Sequence, residues 1–307
     1  MRLLCLAAAL LTPAIAGAAP PKVATDIAPV HSLVAQVMGD LGTPDLILPP
    51  GASPHGYAMR PSEAAAIARA DLVVWVGPAL TPWLERPMAN LGGDASHLVL
   101  LSAGETLVLE TREDAVFGEG HEGHTDHDGH YHGQDETDPH AWLDPSNASI
   151  WLAEIALALS ELDPENAATY AANATAAQDG LAALSTEVKA QLAPVADRPH
   201  VVFHDAYQYF EARFGTTPLG AISISDASQP SAARLSELRA ALSEAGVLCA
   251  FAEPQFDPRL VEAVTEGTQA RTAVLDPMGI DIPLGADFYV TLIRNMTNAK
   301  SDCLSEL

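Results

Sequence analysis

The chain has 307 residues, a length suited to two domains of ordinary size. Hydrophobic residues make up 48%, which excludes wholesale disorder. Forty Asp and Glu against 15 Lys and Arg give a formal charge of −25, which excludes binding to phosphate backbones or anionic membranes and favours cations. Eleven His sit in this acidic background, and five of them fall between positions 121 and 132.

The chain opens MRLLCLAAALLTPAIAGAAPPK. Arg2 supplies a basic start, Leu3 to Leu11 an apolar run, and Ala16-Gly17-Ala18 a cleavage site, so residues 1–19 read as a secretory signal peptide. Thr12-Pro13 interrupts the run well short of the roughly 20 apolar residues that a membrane span needs. Cys5 lies inside the apolar run rather than at the cleavage point, which argues against a lipid anchor. Loss of Arg2 takes the formal charge from −25 to −26. Two cysteines remain, Cys249 and Cys303, and export favours one disulfide between them. By loop-closure entropy it contributes about 4 kcal/mol. Two buried free thiols are the alternative.

Short apolar runs at 23–27, 45–48, 72–76 and 97–101 read as strands, with helices over 31–39 and 62–70 between them. The rhythm returns with strands at 201–203, 218–223, 247–252 and 272–275 and helices at 231–244 and 258–266. Alternation of this kind predicts an α/β fold with two parallel-sheet lobes. Between them, Asp163-Pro164 is a helix start. Tyr170, Ala174, Ala177, Leu181, Leu184, Val188 and Leu192 then recur at helical spacing until Pro194 ends the pattern. A helix this long spans roughly 43 Å at 1.5 Å per residue, enough to join both lobes stiffly; an ordinary helix packed on one lobe is the alternative. Gly180 costs it about 1 kcal/mol. The predicted organisation is an N-terminal lobe over 20–162, a linker helix over 163–193 and a C-terminal lobe over 194–307.

Residues 118–138, GEGHEGHTDHDGHYHGQDETD, combine five His, seven acids and five Gly with no base. The segment has no apolar surface to bury and predicts a mobile loop. His121, His124, His127, His130 and His132 suit transient collection of transition metals; a solvated acidic loop is the alternative.

Four other residues share a context. His55 lies in the turn PPGASPHG after the 45–48 strand, and His140 opens a helix in DPHAWLDP. His204 follows the strand VVF, and Asp276 follows TAVL. Open α/β sheets bind ligands at the carboxyl ends of their strands, so two residues from each lobe would meet in an interlobe cleft. Three imidazoles and one carboxylate suit Zn2+ in a tetrahedron at roughly 2.0–2.2 Å; Mg2+, Ca2+ and Mn2+ favour more oxygen. Taken singly, a His at a strand end is more often a satisfied polar residue. His31, His97 and His200 lack the context and read as structural or surface residues.

Together, ILPPGASPHGYAMRPSEAAAIARADLVVWVG, DPHAWLDPSNA, VVFHDAYQYFEARFG, ISISDASQPSAARLSEL, AFAEPQFDP and LDPMG resemble the ZnuA-like zinc-binding proteins of bacterial ABC importers, within the cluster A-I metal-binding proteins. The resemblance covers nearly all of the mature chain. It implies two lobes joined by a rigid helix, with Zn2+ as transported ligand in the interlobe cleft. His55, His140 and His204 become ligands, with Asp276 or a water in the fourth position. Manganese-binding relatives carry a carboxylate in place of His204. A His- and acid-rich loop ahead of the second ligand and a Cys249–Cys303 disulfide also fit the zinc branch. The expected protein is soluble, periplasmic and monomeric, and hands zinc to the membrane permease, with a periplasmic metallochaperone as a further partner and no nucleic acid. It is not expected to be an enzyme: HExxH and GxSxG are absent. Rival readings are uptake of manganese or another divalent ion, a zinc hydrolase with Glu211 as base, and an adhesin or passive metal buffer.

Overall fold

The structure, a computed structural model, describes residues 19–93, 95–112, 116–117, 137–223 and 231–305. Residues 1–18 of the expected signal peptide, and the His-rich run containing His121, His124, His127, His130 and His132, lie outside the described residues.

The first lobe is a parallel sheet of β1 (Val23–Thr25), β2 (Asp45–Leu46), β3 (Leu72–Trp75) and β4 (Ser96–Val99), in the order β2-β1-β3-β4. The connections carry α1 (Ala28–Met38), α2 (Pro61–Arg69) and α3 (Glu85–Leu91). Val73 and Val74 on β3 are both fully buried, as a parallel strand covered on both faces requires. β2 is shorter than its sequence pattern suggests. The chain nevertheless keeps its pairing, because Ile47 and Leu48 donate to Thr25 and Asp26 carbonyls at 2.8 and 2.9 Å.

After this sheet comes α4 (Pro145–Leu162), capped by Asp144, whose carboxylate accepts from Ser146 N at 2.7 Å. A 3-10 turn over Pro164–Asn166 leads into α5 (Ala167–Leu192), and a second such turn over Ala193–Val195 ends it. The α-helix therefore starts three residues beyond the expected Pro164. Asp163 accepts from Asn166 Nδ2 and Tyr170 OH at 2.7 and 2.8 Å, and this knot closes the tighter turn. Of the predicted stripe, Tyr170, Ala174, Leu181, Leu184, Val188 and Leu192 are buried and Ala177 is half-buried.

The second lobe repeats the first. Its strands β5 (His200–His204), β6 (Gly220–Ser223), β7 (Cys249–Ala252) and β8 (Arg271–Val274) are parallel in the order β6-β5-β7-β8. Helices α6 (Gln208–Phe214), α7 (Ala232–Ala245) and α8 (Arg259–Thr265) lie on the connections. Ser231 caps α7 through Arg234 N at 3.1 Å.

The last helix, α9 (Phe288–Ser305), is a second link between the lobes that the sequence pattern did not assign. Ser32 on α1 donates to Ala286 O at 2.9 Å and accepts from Tyr289 N at 3.0 Å. At its far end, Cys303 forms a disulfide with Cys249 on β7. Arg294 pairs with Glu187 on α5 at 2.8 Å. Among the described residues no helix is long and apolar enough to cross a membrane.

Lys300 on α9 is fully buried and donates to Thr216 O and Thr216 Oγ1, both at 3.2 Å, with His200 Nε2 at 3.1 Å. Burial lowers Lys300 to about 8, and burial beside that cation lowers His200 to about 3. In the unfolded chain His200 takes a proton near 6.5. The unfolded state thus binds more protons between these values, so this group removes stability as pH falls from about 6.5 towards 3. We expect His200→Gln, which keeps an acceptor for Lys300, to flatten the fall in urea midpoint between about pH 6.5 and about pH 4.5. An unchanged slope would show that His200 does not carry this dependence.

Candidate metal centre

Both sheets turn their carboxyl ends toward one cleft. His204 is the last residue of β5 rather than the residue after it, so the strand itself aims the imidazole. His140 precedes a 3-10 turn over Ala141–Leu143, and α4 starts only at Pro145, so His140 sits before a short turn and not on the long helix. His55 lies in the loop after β2, where Trp83 Nε1 donates to Pro54 O at 2.7 Å. The left-handed turn at Gly51, with φ +83°, brings this loop against the second lobe, and a Cβ there would meet Ile280 Cδ1 at 2.8 Å.

His55, His140 and His204 line one cavity together with Trp142, Glu253 and Gln255. His140 and His204 are nearly fully buried, and His55 is half-buried. The Nε2 atoms of His140 and His204 stand 3.4 Å apart, and the His55 ring centre lies 5.4 Å from that of His140. Two nitrogens on one tetrahedral zinc would stand roughly 3.3 Å apart, given bonds near 2.05 Å. Asp276 is arranged differently. Its Oδ1 accepts from Met278 N and Gly279 N, both at 2.9 Å, and its Oδ2 from Ile280 N at 2.7 Å. Among the described residues no three His, Cys, Asp or Glu side chains already close around a single point. The structure brings together two imidazoles, sets the third beside them, and holds the carboxylate on backbone amides.

Two buried acids stand behind the imidazoles. Asp138 Oδ1 lies 2.7 Å from His140 Nδ1 and accepts from His140 N at 3.0 Å. Glu253 Oε1 lies 2.7 Å from His204 Nδ1 and accepts from His204 N at 3.3 Å. A carboxylate on Nδ1 selects the tautomer that leaves the Nε2 lone pair forward, the usual support of a metal-binding imidazole. The two lone pairs then face each other, and a shared cation removes their repulsion. Burial pushes Asp138 up to about 7, opposed by the His140 backbone N–H and the Arg112 charge. The motifs DPH and AEPQF contain both acids, but the sequence reading gives Asp138 and Glu253 no role. Glu253 lies 49 residues from the His it supports, and no local period reveals such a pair.

Polar ties fix the lobes around the cleft. Trp142 Nε1 donates to Pro277 O at 3.0 Å, and Tyr289 OH to Trp142 O at 2.6 Å. Arg213 on α6 grips Asp144 through two bonds of 2.8 Å. Arg112 binds Asp205 and Glu211 together, with Nη1 to Glu211 Oε2 at 2.8 Å. Glu211 is therefore bound to Arg112 and does not line the cavity. Beyond Arg112, Phe117 N donates to Leu219 O at 2.7 Å and Val116 bridges Gly220 on β6. The residues just before the His-rich run thus lie on the edge of the second sheet, and Asp138 after it lies beside His140.

Two parallel α/β lobes, bound by two long helices around a histidine-lined cleft, define a two-lobed metal-binding solute receptor. The chain matches the model of the family described as zinc-uptake complex component A, periplasmic, over residues 23–303, and it belongs to that family. It is similar to the high-affinity zinc uptake system protein ZnuA of Paracoccus denitrificans, 47% identical over 98% of this chain and 97% of that one. The protein of the same description from Brucella suis is 43% identical over 92% of each chain. A crystal structure of ZnuA superposes with a TM-score of 0.74 at 25% identity, covering 92% of this chain and 99% of that one.

Arg112→Met would strand two buried carboxylates, since the Asp205 and Glu211 side chains are only 5% and 3% exposed. We expect a loss of roughly 3–5 kcal/mol in denaturant unfolding. A loss below about 1 kcal/mol would match an ordinary surface pair and contradict a tie of this kind.

Proposed function

We propose that the protein captures Zn2+ in the interlobe cleft and delivers it to the membrane permease of an ABC importer. The observation that carries this reading is the 3.4 Å separation of the His140 and His204 Nε2 atoms, each backed by a buried acid. Relatives named high-affinity zinc uptake system proteins support zinc as the ion. His55, His140 and His204 are the direct ligands, and Asp276 or a water takes the fourth position. Zinc is cargo, bound by coordination and released unchanged. Protons compete for the same imidazoles, so affinity falls in acid.

Residues 1–19 direct export, and the remaining chain works in the periplasm as a soluble monomer, with a periplasmic metallochaperone as a further partner. The His-rich run, through His121, His124, His127, His130 and His132, gathers ions near the tight site. The formal charge of −25 draws cations to the surface.

The test loads purified protein from a mixed-metal buffer, analyses it by mass spectrometry, and titrates it with zinc against a competing chelator. The wild type should retain zinc, and His204→Ala should bind it more weakly by orders of magnitude. Deletion of residues 118–134 should keep the tight site and lower the stoichiometry. Retained manganese without zinc would overturn the choice of ion. Unchanged affinity in His204→Ala would remove His204 from the site, and loss of all binding on deletion would make the His-rich run the primary site.

A further inference from the structure

Gln255 lies two residues beyond Glu253, in the turn after β7, and lines the same cavity as the three histidines. Its Nε2 and Oε1 are both buried, and neither has a hydrogen-bond partner among the described residues. Buried amides are held with both atoms unsatisfied only at a cost in stability, and a Met of similar length would fill the same wall without that cost. Such a group is kept where something entering the cavity satisfies it. Asp276 is the opposite case: three backbone N–H groups already take three of the roughly four acceptor sites of its carboxylate, and it is not among the residues lining the cavity.

We propose that Gln255 is a positioning residue for the bound ion. Its carboxamide oxygen accepts a hydrogen bond from the water that completes the zinc shell, so the fourth position is a held water rather than Asp276. This rests on the reading that His55, His140 and His204 hold zinc. A water on Zn2+ is polarised into a strong donor, and an amide oxygen suits it as acceptor. Because the amide is neutral, it fixes the water without adding an anionic ligand to an ion that must later be surrendered.

The experiment compares wild type, Gln255→Met and Gln255→Glu by three readouts: zinc titration against a chelator, the visible spectrum of the Co2+-loaded protein, and thermal unfolding of the metal-free form. Gln255→Met should bind zinc about 10–100-fold more weakly, the usual effect of losing a group behind the ligand shell. Its cobalt bands should shift, while its metal-free midpoint stays level or rises. Gln255→Glu, which keeps an acceptor oxygen, should restore the affinity. Unchanged zinc affinity and an unchanged cobalt spectrum in Gln255→Met would overturn the role of Gln255. So would a fall in affinity matched by a fall in the metal-free midpoint, which marks a merely structural residue. Failure of the wild type to bind zinc would instead overturn the three-histidine reading.

Discussion

Two imidazoles from opposite lobes, held Nε2 to Nε2 at 3.4 Å, are the constraint on which the cleft depends. Neither lobe makes that arrangement alone. Asp138 and Glu253, nearly fully buried, each take the ring Nδ1 and the backbone N–H of the histidine in front. A rigid pair of forward lone pairs is unfavourable without a cation and favourable with one. This is the form of preorganisation that lets a site select an ion by geometry rather than by charge.

The fold is arranged to keep that distance. Both sheets wind in the same order, so both present strand carboxyl ends, and a ligand-binding crevice forms where the two sets face each other. α5 alone would leave the lobes hinged at one connection. α9 supplies a second, anchored through Tyr289 N to Ser32 on the first lobe and through the Cys249–Cys303 disulfide to the second. Around the cleft, Arg112, Arg213 and Trp142 add ties, and the carboxylates that the two arginines hold are buried, where a missing partner is costly. Val116, ahead of the His-rich run, pairs with the second sheet, and Asp138, after it, bonds to His140 on the first lobe.

The parts legible in the sequence are those that local chemistry writes. Parallel strands buried on both faces are short apolar runs, so β3 and β5 stood out, although β5 extends to include His204 itself. The stripe from Tyr170 to Leu192 marked α5, while the Asp163 knot that delays its start involves side-chain geometry that spacing does not encode. His55, His140 and His204 are legible because each sits in a turn, at a helix start or at a strand end. The acids behind them are not legible in this way: Glu253 meets His204 only after the sheet forms, and α9 meets α1 across more than 250 positions, by the Tyr289–Ser32 bond. Contacts of that separation carry no periodic signal. Asp138, two residues from His140, was within reach of a local reading of DPH.

The most direct measurement is a crystal structure of the zinc-loaded protein with anomalous scattering recorded at the zinc edge. The account predicts one strong peak in the cleft, with the Nε2 atoms of His55, His140 and His204 at roughly 2.0–2.1 Å. A peak bonded to none of these three, or bonded only within the His-rich run, would contradict it.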